Sequence, residues 1–199
     1  MPRMSSGPPH AASASRQHPP ITHCNLCGTA VETKVPEADT HPRAVCPACG
    51  HIQYQNPKLV VGSLPVWEER ILLCRRAIEP RFGRWTLPAG FMENGETATE
   101  GAMREAMEEA NARIEIDELY SFYSLPHISQ VYVFFRARLM DLDFSPGVES
   151  LEVKLVREDE IPWDDLAFAS VKRTLQNFVE DRRRGVFVPR FGEIRPPER

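Results

Sequence analysis

The chain has 199 residues, 42% of them hydrophobic, and carries 24 Lys and Arg against 28 Asp and Glu, for a formal net charge of −4. This length allows one domain of ordinary size together with a small additional module. The slightly acidic balance argues against a broad nucleic-acid-binding surface, which normally shows as an excess of basic residues.

Membrane insertion and export are not indicated by the sequence. No run approaches the roughly 18 apolar residues of a membrane-spanning helix, and the amino terminus lacks the apolar core of a secretion signal. We therefore expect a cytoplasmic protein without a membrane partner. Residues 1–20 are rich in Pro, Ser and Ala and contain no acidic residue, which predicts a disordered tail. The same composition also fits an organelle transit peptide, so that alternative stays open.

Four cysteines form two Cys-x-x-Cys pairs, CNLC and CPAC, separated by 18 residues. Because each pair places two thiolates on one tight turn, this spacing predicts a tetrahedral Zn²⁺ site. Its ligands would be Cys24, Cys27, Cys46 and Cys49. Four protein ligands leave no open position, so the zinc would be structural, in a zinc ribbon spanning residues 21–56. Two disulfides or a redox pair are the alternatives.

Nucleic-acid binding by this ribbon is not expected, because residues 21–56 contain two basic side chains against three acidic ones. The fifth cysteine, Cys74, lies in the apolar run ILLC and is interpreted as a small buried residue.

From Asn56 onward, short apolar runs separated by turns predict a sheet. The predicted strands are 59–67, 70–76, 85–88, 119–125, 130–140 and 151–157. Two helices are predicted, at 98–110 and 165–184; the first opens with a capping box formed by Thr97 and Glu100. A mixed sheet with a helix on each face, an α/β/α sandwich, is the simplest architecture for residues 57–188, followed by a tail at 189–199.

The helix at 98–110 carries three glutamates on one side, namely Glu105, Glu108 and Glu109. At about 100° per residue they fit within roughly a quarter-turn, and like charges at this spacing repel. Pairing of Arg104 with Glu100 and Glu108 on an exposed helix would be one explanation. The other is a bound Mg²⁺ or Mn²⁺, because these ions prefer oxygen ligands and complete their shells with water and phosphate.

The segment from 90 to 112 resembles the signature of Nudix hydrolases. The matching residues are Gly90, Glu96, Arg104, Glu105, Ala106, Glu108, Glu109 and Ala112. Asn111 departs from the signature, which has glycine there; asparagine is the next best residue for a left-handed helix stop. The resemblance implies a Nudix α/β/α sandwich and a metal-dependent pyrophosphatase.

The resemblance also implies roles for individual residues. Glu105 and Glu109 would be the principal Mg²⁺ or Mn²⁺ ligands, with Glu108 assisting and the Ala89 carbonyl as a further ligand. A supporting salt bridge would join Glu96 to Arg104. The group that deprotonates the attacking water would come from a later loop, where Glu149 and Glu152 are candidates, and each could instead be merely solvated.

Over residues 22–192 the chain resembles plant chloroplast Nudix enzymes that cleave FAD and ADP-ribose, together with their bacterial relatives. Shared pieces include NPKLVVG, EEANA, LPHISQVYVFFRA and DDLAFASVKRTL. The implied products are AMP with FMN, or AMP with ribose 5-phosphate. NADH pyrophosphatases also join a zinc ribbon to this signature, but their Ser-Gln-Pro-Trp-Pro-Phe-Pro run is here reduced to Ser129-Gln130.

Four residues are candidate substrate ligands, namely Arg76, Arg81, Arg84 and Tyr132. An arginine can hold a phosphate through two hydrogen bonds, and a tyrosine ring can stack on a flat substrate ring. Solvation at the surface and packing in the core are the respective alternatives. A homodimer is implied by the resemblance. The alternative function is a regulator that binds ADP-ribose or nucleic acid without turnover.

Overall fold

The computed structural model describes residues 20–196, so nearly all of the predicted amino-terminal tail lies outside the described residues. The chain divides into two compact units, one ending at Asn56 and the other beginning at Pro57. Within residues 20–196, neither helix combines the length and apolarity that crossing a bilayer requires.

The smaller unit contains a three-stranded antiparallel sheet in the order β1-β2-β3. Its strands are β1 (Glu32–Lys34), β2 (Arg43–Val45) and β3 (Ile52–Gln53). Among its described residues, the buried apolar side chains are those of Cys24, Val45 and Cys46. So small a core cannot by itself offset the entropy of ordering the segment, which therefore depends on another source of stability.

The larger unit is built on an eight-stranded mixed sheet. Its strands are β4 (Lys58–Trp67), β5 (Arg70–Arg76), β6 (Trp85–Thr86), β7 (Ala89–Phe91), β8 (Ile114–Leu125), β9 (Gln130–Leu139), β10 (Ser150–Val156) and β11 (Arg190–Glu193). The order is β10-β5-β4-β9-β8-β11, with β6 beside β5 and β7 beside β4. The pairs β4–β9 and β8–β11 are parallel. The helices are α1 (Ala98–Ala110) and α2 (Ala169–Arg184).

One helix covers each face of this sheet. Val60 belongs to a core cluster that includes Leu175 of α2, whereas Val61 belongs to another that includes Ala102 of α1. Adjacent residues of a strand point to opposite faces, so the two helices lie on opposite sides. The predicted α/β/α sandwich with a mixed sheet is confirmed.

Several element boundaries differ from the prediction. Strand β8 begins at Ile114 rather than 119, because its acidic residues pair with arginines of β9, for example Glu118 with Arg136. Helix α2 begins at Ala169 rather than 165, because the preceding residues bond to Trp85 through backbone groups. The predicted strand 85–88 is shorter, ending at Thr86, and β7 was not predicted.

The carboxyl-terminal segment also differs from the prediction, which placed residues 189–199 in a tail. Residues 190–193 instead form β11, which pairs with residues 121–124 of β8. The side chain of Arg190 forms an ion pair with Asp181 of α2, a residue only 1% exposed. The pairing with β8 and the contact with this buried acid of α2 explain why the segment is ordered.

Candidate active site and cysteine cluster

Local capping signals fix both ends of α1. The Thr97 side chain accepts a hydrogen bond from the Glu100 amide at 3.2 Å, and the Glu100 carboxylate accepts one from the Thr97 amide at 2.7 Å. At the other end Asn111 adopts a left-handed conformation, with φ 46° and ψ 30°. These caps satisfy backbone groups that a helix end otherwise leaves unpaired.

The three glutamates of α1 are not equivalent. Glu105 and Glu109 are buried, at 8% and 5% exposure, next to the fully buried alanines that pack α1 on the sheet. The Glu108 side chain is 58% exposed. Two of the three acids therefore lie at the edge of the helix–sheet interface, where a negative charge is poorly solvated.

Strand β7 runs beside these two carboxylates. The Ala89 amide donates to Glu109 Oε2 at 3.3 Å. A Cβ atom on Gly90 would lie 2.5 Å from Cδ of Glu105, a distance that real side chains do not tolerate. Glycine at this position therefore makes room for the Glu105 carboxylate. Contact with Glu109 is made by the amide of Ala89, and a ligand role for its carbonyl stays a prediction.

Arg104 connects the acids of this region. Its guanidinium donates to both carboxylate oxygens of Glu96, at 3.0 and 2.8 Å, and to the Phe91 carbonyl at 3.0 Å. The remaining nitrogen, Nη1, donates to Glu105 at 2.6 Å and to Glu108 at 2.9 Å. This ion pair holds the pKa of Glu96 down at about 2. One arginine thus fixes the loop before α1 on the helix.

Burial makes the charged forms of the two inner glutamates unfavourable. The pKa of Glu109 rises to about 8, chiefly because of burial and secondly because of the negative charge of Glu105. Burial also raises the pKa of Glu105, against the opposing effect of Arg104. A cation bound between them would offset both costs. Carboxylate oxygens without thiolates or imidazoles suit hard ions such as Mg²⁺ and Mn²⁺.

The two candidate bases lie in different surroundings. The negative charge of Glu149 contributes to the raised pKa values of both Glu105 and Glu109, so Glu149 belongs to the same electrostatic cluster. Its carbonyl accepts a hydrogen bond from Ala77 at 2.8 Å. Glu152 lies on β10 opposite Arg75, with which it forms an ion pair at 3.8 Å.

Arg76 is the predicted substrate ligand that the structure brings to this cluster. It is 8% exposed, its Nε donates to the Pro80 carbonyl at 2.9 Å, and its guanidinium lies 5.1 Å from the ring centroid of Phe168. Its positive charge lowers the pKa of Glu109 and that of Tyr132, although burial raises both. Arg76 and Tyr132 are therefore electrostatic neighbours.

The other two predicted arginines are placed differently. Arg84 donates to the Asp164 carbonyl at 3.0 Å and pairs with Asp165 at 3.3 Å, so its guanidinium already has partners. Arg81 is exposed and has a positive φ of 70° in the turn between β5 and β6. In the described part of the chain, no hydrogen bond or ion pair joins either residue to the glutamates of α1.

The four cysteines of the smaller unit come together as predicted for a zinc ribbon. Their sulfur atoms all lie within 4.8 Å of one another, and three of the separations are 3.5, 3.6 and 3.7 Å. A tetrahedral site with Zn–S bonds of about 2.3 Å requires sulfur separations of about 3.8 Å. Among the described residues, these four cysteines are the group whose potential ligand atoms all lie within 4.8 Å of one another. The carboxylate oxygens of the three α1 glutamates are not gathered that closely.

The two turns that carry the cysteines have matching geometry. Gly28 donates its amide to the Cys24 carbonyl at 2.9 Å, and Gly50 donates to the Cys46 carbonyl at 3.0 Å. Both glycines have positive φ, at 74° and 73°, which lets the chain turn back beneath the sulfur cluster. The donor set and its spacing fit structural zinc.

Comparison with protein-family models decides the family. The NUDIX domain model matches residues 56–178, and the model for the Nudix N-terminal zinc ribbon matches residues 22–55. The chain belongs to the Nudix family. Nudix enzymes generally require divalent metal ions, in agreement with the buried acid pair described above.

Three relatives illustrate the similarity. A solved NUDIX hydrolase from Nitrosomonas europaea is 56% identical, with a TM-score of 0.86, and the match covers 88% of this chain and 100% of that one. An ADP-ribose pyrophosphatase from Methanocaldococcus jannaschii is 36% identical over 73 residues, 37% of this chain and 43% of that protein. An NAD-capped RNA hydrolase NudC from Pseudomonas aeruginosa is 29% identical over 134 residues, 65% of this chain and 45% of that protein. The match thus spans less than half the length of these two curated relatives.

Two residues near this Nudix site were not singled out as functional from the sequence. Phe168, which the pattern placed inside α2, is its N-cap residue and lies beneath Arg76. No local capping signal marks this later start, because Asp164 and Asp165 are good N-cap residues whereas Phe168 makes no side-chain cap hydrogen bond. The sequence predicts Asn111 as a helix stop, but its side-chain bonds to the loop at 145–146 depend on residues far along the chain.

Proposed function

We propose that this chain hydrolyses the pyrophosphate bond of ADP-containing dinucleotides with the help of a divalent cation. ADP-ribose and NAD-type compounds are the substrate class, and FAD is the finer candidate that the sequence resemblance adds. The observation that carries the proposal is the pair of buried glutamates, Glu105 and Glu109, whose charges are unfavourable without a cation and which lie beside Glu149 and Arg76.

Each acid of the site has a proposed role. Glu105 and Glu109 bind Mg²⁺ or Mn²⁺, and Glu108 assists from the exposed side of the helix, where it now shares Arg104 with Glu105. The Ala89 carbonyl is proposed as a further ligand. A cation held by these residues would neutralise negative charge on the pyrophosphate and make a water easier to deprotonate.

The reaction requires one proton transfer and one exchange of phosphorus–oxygen bonds. Glu149 accepts a proton from water, whose oxygen attacks one phosphorus and forms a new P–O bond. The bond from that phosphorus to the bridging oxygen breaks, and the bridging oxygen leaves on the other phosphate. ADP-ribose gives AMP and ribose 5-phosphate; FAD gives AMP and FMN. Glu152 is the weaker candidate for the base because Arg75 already pairs with it.

Arg76 is proposed to bind a phosphate of the substrate. Within the described residues it has no carboxylate partner at ion-pair distance, and its one side-chain hydrogen bond uses Nε, so its terminal nitrogens are free to bind an anion. The adjacent start of α2 adds amides that have no intrahelical acceptor. Tyr132 is proposed as a neighbour of the substrate rather than a stacking partner, because it is buried in the core cluster. Arg81 and Arg84 are weaker candidates.

The accessory assignments follow from the same site and family. We propose that residues 21–56 form a ribbon whose zinc is structural, that the larger unit from Pro57 through β11 forms the catalytic domain, and that the protein is a homodimer. Light scattering after size-exclusion chromatography tests the last point, since a mass near twice the 22.6 kDa of one chain is expected.

Two other functions remain distinguishable by experiment. An NADH pyrophosphatase is supported by the similarity to the NudC relative, an NAD-capped RNA hydrolase. A regulator that binds ADP-ribose or nucleic acid without turnover would not need the buried acid pair. The substrate panel below separates all three.

The test is a substrate panel with purified protein, Mg²⁺ or Mn²⁺, and ADP-ribose, FAD, NADH or a diadenosine compound, followed by chromatographic separation of nucleotides. Release of AMP is expected with wild type, and its rate should fall by about two orders of magnitude or more in Glu109→Gln. Glu180→Gln is the matched control, because Glu180 is a half-exposed acid on α2. Absence of AMP from every substrate would contradict the proposal.

A further inference from the structure

Asn111 stands where the Nudix signature has glycine. A left-handed helix stop is the usual reason for glycine there, and Asn111 meets that requirement with φ 46° and ψ 30°. Its backbone amide donates to the Met107 carbonyl at 2.9 Å, so the stop itself is complete without the side chain. The carboxamide is therefore available for another purpose.

That carboxamide reaches the loop between β9 and β10. Asn111 Nδ2 lies 3.1 Å from the Ser145 carbonyl, 3.2 Å from Ser145 Oγ and 3.4 Å from the Pro146 carbonyl. The two residues that carry these acceptors follow Asn111 by 34 and 35 positions in the sequence. Glycine, which has no side chain, could make none of these bonds.

The same loop contacts the end of α1 through its backbone. The Ser145 amide donates to the Ala110 carbonyl at 2.9 Å, and the Gly147 amide donates to the Glu109 carbonyl at 3.0 Å. A Cβ atom on Gly147 would collide with the carbonyl of Glu108. The loop thus satisfies carbonyls that the last helical turn leaves without partners, and this is the turn that carries Glu109.

Glu149 follows two residues after Gly147. The Glu149 carbonyl accepts a hydrogen bond from the Ala77 amide at 2.8 Å. The short segment from Gly147 to Glu149 is therefore anchored at both ends. The charge of Glu149 acts on Glu105 and Glu109 alike. The position of its carboxylate therefore depends on how firmly the loop is held against α1.

We propose that Asn111 is a positioning residue, whose side chain holds residues 145–147 on the end of α1 and so places the Glu149 carboxylate beside Glu105 and Glu109. This inference rests on the proposed function, in which Glu149 accepts the proton of the attacking water. Misplacement of a reacting group by about 1 Å can cost on the order of a hundredfold in rate.

The first test compares Asn111→Gly with Asn111→Asp. Glycine keeps the left-handed backbone and removes the side chain, whereas aspartate keeps the shape and removes the donor. Both should lower kcat roughly 10-fold or more while KM changes less than about twofold, because none of the proposed substrate ligands lies in the loop. Wild-type kcat in both variants would overturn the proposal.

The second test combines Asn111→Gly with Glu149→Gln. If Asn111 acts through Glu149, the double variant should be no slower than Glu149→Gln alone. Multiplication of the two single effects would overturn the proposal, because it would show that Asn111 acts independently of Glu149.

The third test does not depend on turnover. Amide hydrogen exchange should be accelerated at Ser145 and Gly147 in Asn111→Gly, while the amides within α1 keep their protection. Unchanged exchange at the two loop amides would overturn the proposed clamp. If wild type released no AMP from any substrate, the proposed function would fail, and the exchange result would still decide whether the clamp exists.

Discussion

Replacement of Glu109 by glutamine should stabilise the metal-free protein at alkaline pH while lowering activity by about two orders of magnitude or more. Glutamine keeps the volume of the side chain and its capacity to accept from the Ala89 amide, which lies 3.3 Å from Glu109 Oε2. It cannot ionise, however. The substitution therefore separates the cost of a buried charge from the loss of side-chain packing.

The magnitude follows from the raised pKa. Burial and the charge of Glu105 raise the pKa of Glu109 from 4.5 to about 8 in the folded state. A raised acid pKa means that the folded state favours the protonated form of Glu109. The stability that protonated Glu109 gives the folded state is therefore fully present below pH 4.5 and is lost as pH rises through 8. At about 1.36 kcal/mol per unit of pKa difference, the free energy of unfolding falls by about 5 kcal/mol in total. About 3 kcal/mol of this loss occurs between roughly pH 5.5 and pH 8.

The assay is urea unfolding monitored by tryptophan fluorescence in buffer free of divalent cations. All three tryptophans, Trp67, Trp85 and Trp163, lie in the larger unit, so the signal reports the domain that contains Glu109. The free energy of unfolding of wild type should fall by about 3 kcal/mol more than that of Glu109→Gln between about pH 5.5 and pH 8. Added Mn²⁺ should restore stability at the higher pH only in wild type.

Glu108→Gln is the matched control, since it removes one charge from the same helix at a side chain that is 58% exposed. The free energy of unfolding of Glu108→Gln should vary with pH in parallel with that of wild type, because an exposed charge is well solvated. Parallel curves for wild type and Glu109→Gln would refute the claim that Glu109 carries an unfavourable buried charge.

Three further variants test other parts of the account. Cys46→Ser should reduce zinc from about one ion per chain to a small fraction of that by elemental analysis, whereas Cys74→Ser should leave it unchanged; equal zinc content would contradict the ribbon site. Gly90→Ala should weaken Mn²⁺ binding in a titration, because its Cβ would lie 2.5 Å from Cδ of Glu105, and wild-type affinity would show that glycine is not required there. Tyr120→Phe removes a 2.9 Å hydrogen bond to a buried acid of α2 and should lower the free energy of unfolding by about 1–3 kcal/mol; no change would mean the bond is dispensable.

Features with local causes could be predicted from the sequence. The bounds of α1 were predicted to the residue, because the capping box and the left-handed asparagine are local signals. The three glutamates were placed on one side of α1 by helical periodicity alone. Periodicity could not show that Glu105 and Glu109 turn inward beside β7 while Glu108 faces solvent, because that depends on the direction from which the sheet approaches.

Features with distant causes were missed or misplaced. Strand β7 has three residues, including a glycine, and is defined by its pairing with β4 rather than by β-propensity. Strand β11 depends on the buried carboxylate of Asp181, which the sequence of the segment itself does not reveal. Of the partners that the sequence offers Arg104, Glu100 is occupied by the capping box, whereas the pair with Glu108 and the salt bridge with Glu96 implied by the resemblance are both present.

The most direct test of the account is anomalous diffraction from crystals of this protein grown with Mn²⁺. We predict a manganese ion within about 2.0–2.3 Å of carboxylate oxygens from both Glu105 and Glu109, close to Ala89 and Gly90. A strong manganese signal elsewhere, with these two carboxylates unbound at saturating Mn²⁺, would contradict the claim that they hold the catalytic cation.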